Sequence, residues 1–196
     1  MERRNKREKQ RLSRKKQILE CALDMIIARG FDAMKIRDIA DKLNISTGLF
    51  FNYFESKEKV YEELVNIGLS GPAHALALDT EGIEPIMLFE RITEYIFSAL
   101  TQDDMTGKMF LLMTQAMRSE AAPEGVKSLL ASFDAITPLV KTVIHGQTLH
   151  QIKQGDPAAL LIAYWGAVQG VAEYHTLYPS LPLPQISWIV DIIRVN

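Results

Sequence analysis

Apolar positions along this 196-residue chain recur with the period of helices, and the two-residue alternation of strands is almost absent. A first helix is predicted over about residues 12–29, ended by Gly30. Ile36, Ile39, Ala40 and Leu43 then stand at i, i+3, i+4 and i+7, on one face of a second helix. Asn44, Ile45 and Ser46 break that pattern, and Ser46 suits the cap of a third helix because its oxygen can accept from an orphan backbone N–H. The third helix turns Phe50 and Phe54 inward and leaves Thr47, Gly48 and Asn52 on its other face. Two short helices joined by a tight turn form the frame of a helix-turn-helix, whose second helix enters the DNA major groove. An ordinary helical hairpin has the same pattern, so this stretch alone leaves both readings open.

Downstream, a helix is expected from Lys57 to about Leu69, stopped by Gly71 and Pro72, with a connection of mixed character over 73–84. Pro85 suits the first turn of the next helix, with Phe89, Ile92, Ile96 and Leu100 in phase. Another helix is predicted over about 105–118. Pro123 is expected to open a longer one, bent at Pro138 where the ring removes a backbone donor, and finished near Gly155. Asp156 and Pro157 make a strong start for a helix to about Leu177 that is apolar on more than one face. Pro179, Pro182 and Pro184 lead to a last helix holding Trp188, Ile189, Ile192 and Ile193. A helix apolar on several faces must be buried on several sides. The two C-terminal helices carry more such surface than one chain of this size readily covers, and symmetric dimers are the commonest oligomers. A homodimer through those two helices is expected.

Charge changes the picture only when it is split. Residues 1–17 hold nine Lys or Arg against Glu2 and Glu8, a balance of +7, while the remainder holds 13 basic and 22 acidic residues, a balance of −9. A basic arm on an acidic body suits contact with nucleic acid; a solvated tail has the same composition. Cys21 is the single cysteine, so no intramolecular disulfide can form, and its apolar neighbours make it a small core residue. The basic N-terminus is not followed by an uncharged apolar stretch, and no run approaches the roughly 20 apolar residues of a membrane span. A cytoplasmic protein with no membrane contact is expected. His74, His145, His150 and His175 lack metal-ligand spacing, and the sequence holds neither a phosphate-binding glycine loop nor a nucleophile motif. No enzymatic activity, cofactor or metal is expected.

Read together, residues 18–64 resemble the tetracycline-repressor (TetR) type of bacterial transcription regulators. The likeness rests on the apolar first helix, Gly30 and Phe31, the run Ile36, Arg37, Asp38, Ile39 and Ala40, and the run from Ile45 and Ser46 to Tyr53 and Phe54. Ser56, Lys57, Glu58 and Lys59 close it, and it covers about a quarter of the chain. Three positions depart from the usual motif. Met34 stands where the family often has a capping Thr, Leu49 where a small or hydroxyl residue is common, and Phe51 where a Tyr is frequent, so a phenolic phosphate contact is missing; the Asn52 amide can take its place.

The resemblance implies an all-α fold, with an N-terminal helix-turn-helix DNA-binding head over 1–70 and a larger C-terminal ligand-binding and dimerisation body over 71–196. It implies phosphate contacts from Lys35, Asn52 and Lys57 and base-edge contacts from Arg37, Thr47, Gly48 and Leu49, with Phe51 and Tyr53 on the same surface. Met105, Met109, Met113 and Met117 recur every four residues, an adaptable stripe that is plain core packing or, as in the family, one wall of a ligand cavity. Phe89, Met109, Phe110, Met113, Met117, Tyr164 and Gln169 are the expected pocket. On Trp165, Gln169 and Glu173, at i, i+4 and i+8, the polar pair either orients a ligand or pairs across an interface. The function expected is a repressor released from a near-palindromic DNA operator by a small, mostly apolar effector. The alternative is a DNA-binding protein of the same fold that answers to a protein partner. A small all-α enzyme would need a titratable pair in a cleft, which the sequence does not suggest.

Overall fold

The computed structural model describes residues 2–76 and 82–195. Its helices are α1 (Glu2–Arg29), α2 (Ile36–Lys42), α3 (Thr47–Phe51), α4 (Lys57–Leu76), α5 (Pro85–Gln102), α6 (Asp104–Arg118), α7 (Glu124–Ala131), α8 (Thr137–Thr148), α9 (Pro157–Leu177) and α10 (Ile186–Val190). The fold is all-α, and the one β-type pairing among the described residues is an isolated antiparallel bridge between Ile152 and Arg194. No helix of the described residues is long and apolar enough to cross a membrane.

The chain forms two compact units, Met1–Gly68 with Leu111–Ala131, and Leu69–Phe110 with Ser132–Asn196. The division therefore falls inside α4 and inside α6, rather than at the single point near residue 70 where the sequence suggested a boundary.

In the first unit α1 begins at Glu2, ten residues before the expected start. The apolar period begins only near Leu12, but residues 2–16 are straight-chain Lys, Arg, Glu and Gln for the most part, with no Gly or Pro, and such residues favour helix on their own account. Ile18, Ala22, Leu23 and Ile26 of α1 pack in one core with Met34, Ile39, Phe50, Val60 and Leu64. Cys21 lies in that core, and burial pushes its thiol pKa up. Helix α4 does not stop at Gly71 and Pro72 but continues through them. A proline there removes one backbone bond, a local loss that the buried face of Val60, Tyr61, Leu64 and Val65 outweighs. The side chain of His74 lies outside the described residues. Gly68 meets Met113 so closely that a Cβ would stand 2.7 Å from its sulfur.

In the second unit α5, α8, α9 and α10 share a core built on Phe89, Ile92, Leu139, Val143, Leu161, Tyr164 and Val168. The long helix expected to bend at Pro138 is two helices. Asp134 Oδ1 accepts from the backbone N–H of Ile136 and of Thr137, both at 2.9 Å, which satisfies orphan donors at the start of α8. A hydrogen bond from the Thr137 side chain, together with those two backbone bonds, holds the Asp134 carboxyl below its ordinary pKa. Pro138 lies in the first turn of α8, where its missing donor costs nothing. Helix α9 begins as expected, with Asp156 Oδ1 accepting from Ala159 N at 2.8 Å and Pro157 following.

The last helix is shorter than the sequence suggested. After Val190 the chain turns; Lys153 N donates to Ile193 O at 2.8 Å and Val195 N to Gln151 O at 3.1 Å. Lys153 Nζ also donates to the carbonyls of Asp191 and Ile192, at 2.8 and 3.0 Å, closing the end of α10. One face of α9 stays open within the chain. Ile162 is 63% exposed, Ala159, Ala163, Gly166, Tyr174 and Leu177 are exposed beside it, and a Cβ on Gly166 or Gly170 would meet nothing within 4 Å. Trp188 of α10 is 62% exposed.

Candidate nucleic-acid interface and body sites

The turn between α2 and α3 is set by backbone hydrogen bonds as much as by side chains. Asn44 adopts φ +52°, Ile45 N donates to Ala40 O at 2.9 Å, and Asn44 N donates to Asp41 O at 3.2 Å. That is the Schellman end of a helix, and Asn is one of the few residues with a side chain that tolerates the left-handed position. Ser46 then caps α3, its Oγ accepting from Leu49 N at 3.1 Å. Phe50 and Phe54 are buried with ring centroids 6.1 Å apart, which fixes how α3 is rolled about its axis.

With that roll set, Thr47, Gly48, Phe51 and Asn52 are exposed together on the outer side of α3. Phe51 is 52% exposed and meets Phe50 edge-on at 5.6 Å. Gly48 has ordinary helical backbone, and a Cβ there would meet only Ser46 Oγ, at 3.8 Å. Folding does not require a glycine at this position; its bareness opens room for something outside the chain. Leu49 and Tyr53 are half-buried and contribute only part of their surface. Lys35, the residue before α2, is exposed with no side-chain cap made, and Arg37 is exposed with a loose partner, Asp41, at 3.7 Å.

Lys57 departs from the expectation. Its ammonium points inward to the carbonyls of Phe31, Asp32 and Met34, each at 3.3 Å, and sits 4.4 Å from the centre of the Phe31 ring. The sequence had no local signal for this, because the partners lie 23 to 26 residues away. On the basic arm, Lys6, Arg7, Lys9 and Arg11 are exposed, while Lys15 is engaged with Glu63 at 2.5 Å.

The seven residues expected to line a body pocket are divided. Met113 and Met117 fall in the first unit, where Met113 packs on Gly68 and Met117 is 54% exposed. Phe89, Met109, Phe110, Tyr164 and Gln169 fall in the second. Tyr164 is fully buried, and its hydroxyl is shared with Thr93 Oγ1 at 2.8 Å and donates to Phe89 O at 3.2 Å. Burial raises its pKa. It is a satisfied core residue. Gln169 Nε2 donates to Glu173 Oε1 at 3.1 Å, so the polar pair of α9 bonds within the helix. The buried Nε1–H of Trp165, one turn before Gln169, finds no acceptor among the described residues. An open groove of about 410 Å³, lined by Ile83, Pro85, Leu88, Lys141, Thr142 and His145, contains none of the residues expected to bind.

Residues 18–64 match the family model for bacterial regulatory proteins of the tetR family. Over 53 residues the chain is 40% identical to the HTH-type transcriptional repressor KstR2 of Mycolicibacterium smegmatis, a match covering 27% of this chain and 26% of that protein. It is 29% identical over 116 residues to the HTH-type transcriptional regulator LuxR of Vibrio harveyi, covering 57% and 55%. The chain thus spans about a quarter to about half the length of these relatives. A TetR-family regulator from Rhodococcus RHA1 superposes with a TM-score of 0.70 at 16% identity, over 93% of this chain and 97% of that one. A TetR family transcription regulator from Marinobacter aquaeolei VT8 does so at 0.69 and 16%, over all of both chains. At such identities these two likenesses speak for the fold.

Fold and head define an all-α helix-turn-helix protein. The resemblance seen in the sequence is met in the same residues, and over 18–64 the chain has the sequence pattern of the N-terminal region of TetR-type bacterial regulatory proteins.

Proposed function

We propose that this chain is a DNA-binding transcriptional repressor that works as a homodimer and releases a near-palindromic operator when a small, mostly apolar molecule occupies its body. The observation that carries the DNA half is the outer face of α3. Thr47, Gly48, Phe51 and Asn52 stand clear of the core on a helix whose roll is fixed by Phe50 and Phe54, and Gly48 leaves space that folding has no use for. Edge contacts from Arg37, Thr47, Gly48 and Leu49 would set sequence preference, and Lys35, Asn52 and the exposed arm residues would meet phosphate. The name of KstR2 as a repressor supports repression over activation.

The open face of α9, joined by Trp188, supports the homodimer, since a lone chain would leave those side chains in water. Two copies would then present α3 to successive major grooves, roughly 34–36 Å apart. For the effector, the buried, unpartnered Trp165 donor beside Gln169 supports a ligand carrying one acceptor, and Met109 and Phe110 belong to the same compact unit as apolar candidates for its contact. Tyr164 has no place in that recognition, its hydroxyl being committed. Release follows if the ligand prefers a state with lower DNA affinity.

Selection of duplexes from a random-sequence pool by the purified chain tests this reading. The expected result is enrichment of a near-palindrome bound by two chains, measured by light scattering of the complex. Failure to enrich any sequence would overturn it.

A further inference from the structure

We infer that Lys57 is a positioning residue of the head, an internal cation that holds the loop before α2 against α4, and that it does not contact DNA phosphate; the proposal rests on the DNA-binding reading above. The loop leaves α1 through Gly30, whose φ is +82°, and turns back with Met34 N donating to Phe31 O at 3.1 Å. In this turn the carbonyls of Phe31, Asp32 and Met34 converge on one point. Three oxygens with partial negative charge repel one another unless a donor sits among them. An ammonium has three N–H groups and no acceptor, and Lys57 Nζ lies 3.3 Å from each oxygen.

The equal distances show a seat centred on the charge rather than a chance contact with one carbonyl. The Phe31 ring adds a fourth partner, 4.4 Å below the cation. That ring stacks on Tyr61 at 4.8 Å, and Tyr61 lies one turn after Lys57 on α4. Two successive turns of α4 thus grip the loop, one by its carbonyls and one by its ring. Ser56, just before Lys57, caps α4 by accepting from Lys59 N at 3.3 Å, so the grip begins where the chain arrives from α3. One residue therefore ties together the approach to α2 and the exit from α3. With its three hydrogens engaged, Lys57 has none for a phosphate. Lys35, exposed at the near end of α2, is placed for that contact instead.

The test compares Lys57→Met, Lys57→Arg and Lys35→Met in the full chain, with a duplex selected by the wild-type protein as probe. Removing a lysine that meets phosphate lowers the slope of log affinity against log salt by about one. Lys57→Met is expected to weaken binding at least tenfold while leaving that slope unchanged, and to speed amide hydrogen exchange of residues 31–36 at least tenfold without DNA. Lys57→Arg should behave like Lys57→Met, because a planar guanidinium cannot offer three converging donors, whereas it would serve a phosphate well. Lys35→Met should lower the slope and leave exchange unchanged. A lowered slope in Lys57→Met with unchanged exchange would overturn the proposal, as would full activity of Lys57→Arg. If Lys57→Met is too unstable to assay, Lys57→Arg carries both measurements. If the wild type selects no duplex, the DNA-binding reading fails, and exchange in the free chain still decides whether Lys57 holds the loop.

Discussion

Helices α3 and α9 each leave a face open, and the two faces are opposite in kind. The face of α3 sets the small or polar Thr47, Gly48 and Asn52 beside one aromatic ring, Phe51, on a helix of five residues. The face of α9 is mostly apolar, on a helix of 21. A helix as short as α3 has no stability of its own. It is held from outside by the Ser46 cap, the Asn44 turn and the burial of Phe50 and Phe54. Its outward residues therefore add little to folding and can be chosen for contact. The outward residues of α9 cannot be chosen so freely, since Ile162, Tyr174 and Leu177 expose apolar surface that only assembly would remove from water. Where a helix is held by its neighbours, its open face is available for recognition; where the open face is apolar, it asks for a partner.

The contrast breaks most visibly at α9. Changing Ile162→Asp together with Gly166→Arg is expected to halve the mass measured by light scattering, retain a cooperative thermal transition, and lower operator affinity at least a hundredfold through loss of the paired heads. A double variant that keeps the wild-type mass would place the seam elsewhere.

At α3 the inner face should carry the stability. Phe50→Ala is expected to destabilise the chain by about 3–5 kcal/mol in denaturant unfolding, the range for emptying a packed aromatic site. A loss below about 1 kcal/mol would mean that α3 is not anchored through its inner ring.

The smallest effect on stability, and the sharpest test of the comparison, is at the outer face. Gly48→Ala should raise unfolding free energy by only about 0.4–1 kcal/mol, as expected for replacing a helical glycine with open space around it. The same change should alter sequence preference in a repeated duplex selection. Unchanged preference together with that small gain in stability would remove Gly48 from the recognition surface.

Much of this architecture was legible in the sequence because its signals are local. Pro85 and the pair Asp156 and Pro157 mark helix starts through their own backbone chemistry, and Ser46 caps α3 within three residues. The 3.6-residue period of Ile36, Ile39, Ala40 and Leu43 needs only the chain itself, and so does the division of α3 into an inner and an outer side. The helical arm has no apolar period to mark it, and its straight-chain residues sustain helix without one.

What only the tertiary structure decided depends on partners far along the chain. Tyr164 looks like a ligand's orienting group until its hydroxyl is found on Thr93, 71 residues away. Lys57 looks like a surface cation until three carbonyls of a distant loop close on it. The methionine stripe reads as one wall in sequence, yet Met109 and Met113 fall in different compact units because the division cuts through α6. A residue's conformational preference is a property of the residue and its near neighbours, so the sequence determined the helices. A polar or charged side chain takes its role from whichever group folding brings within about 3 Å, and that meeting is settled by packing alone.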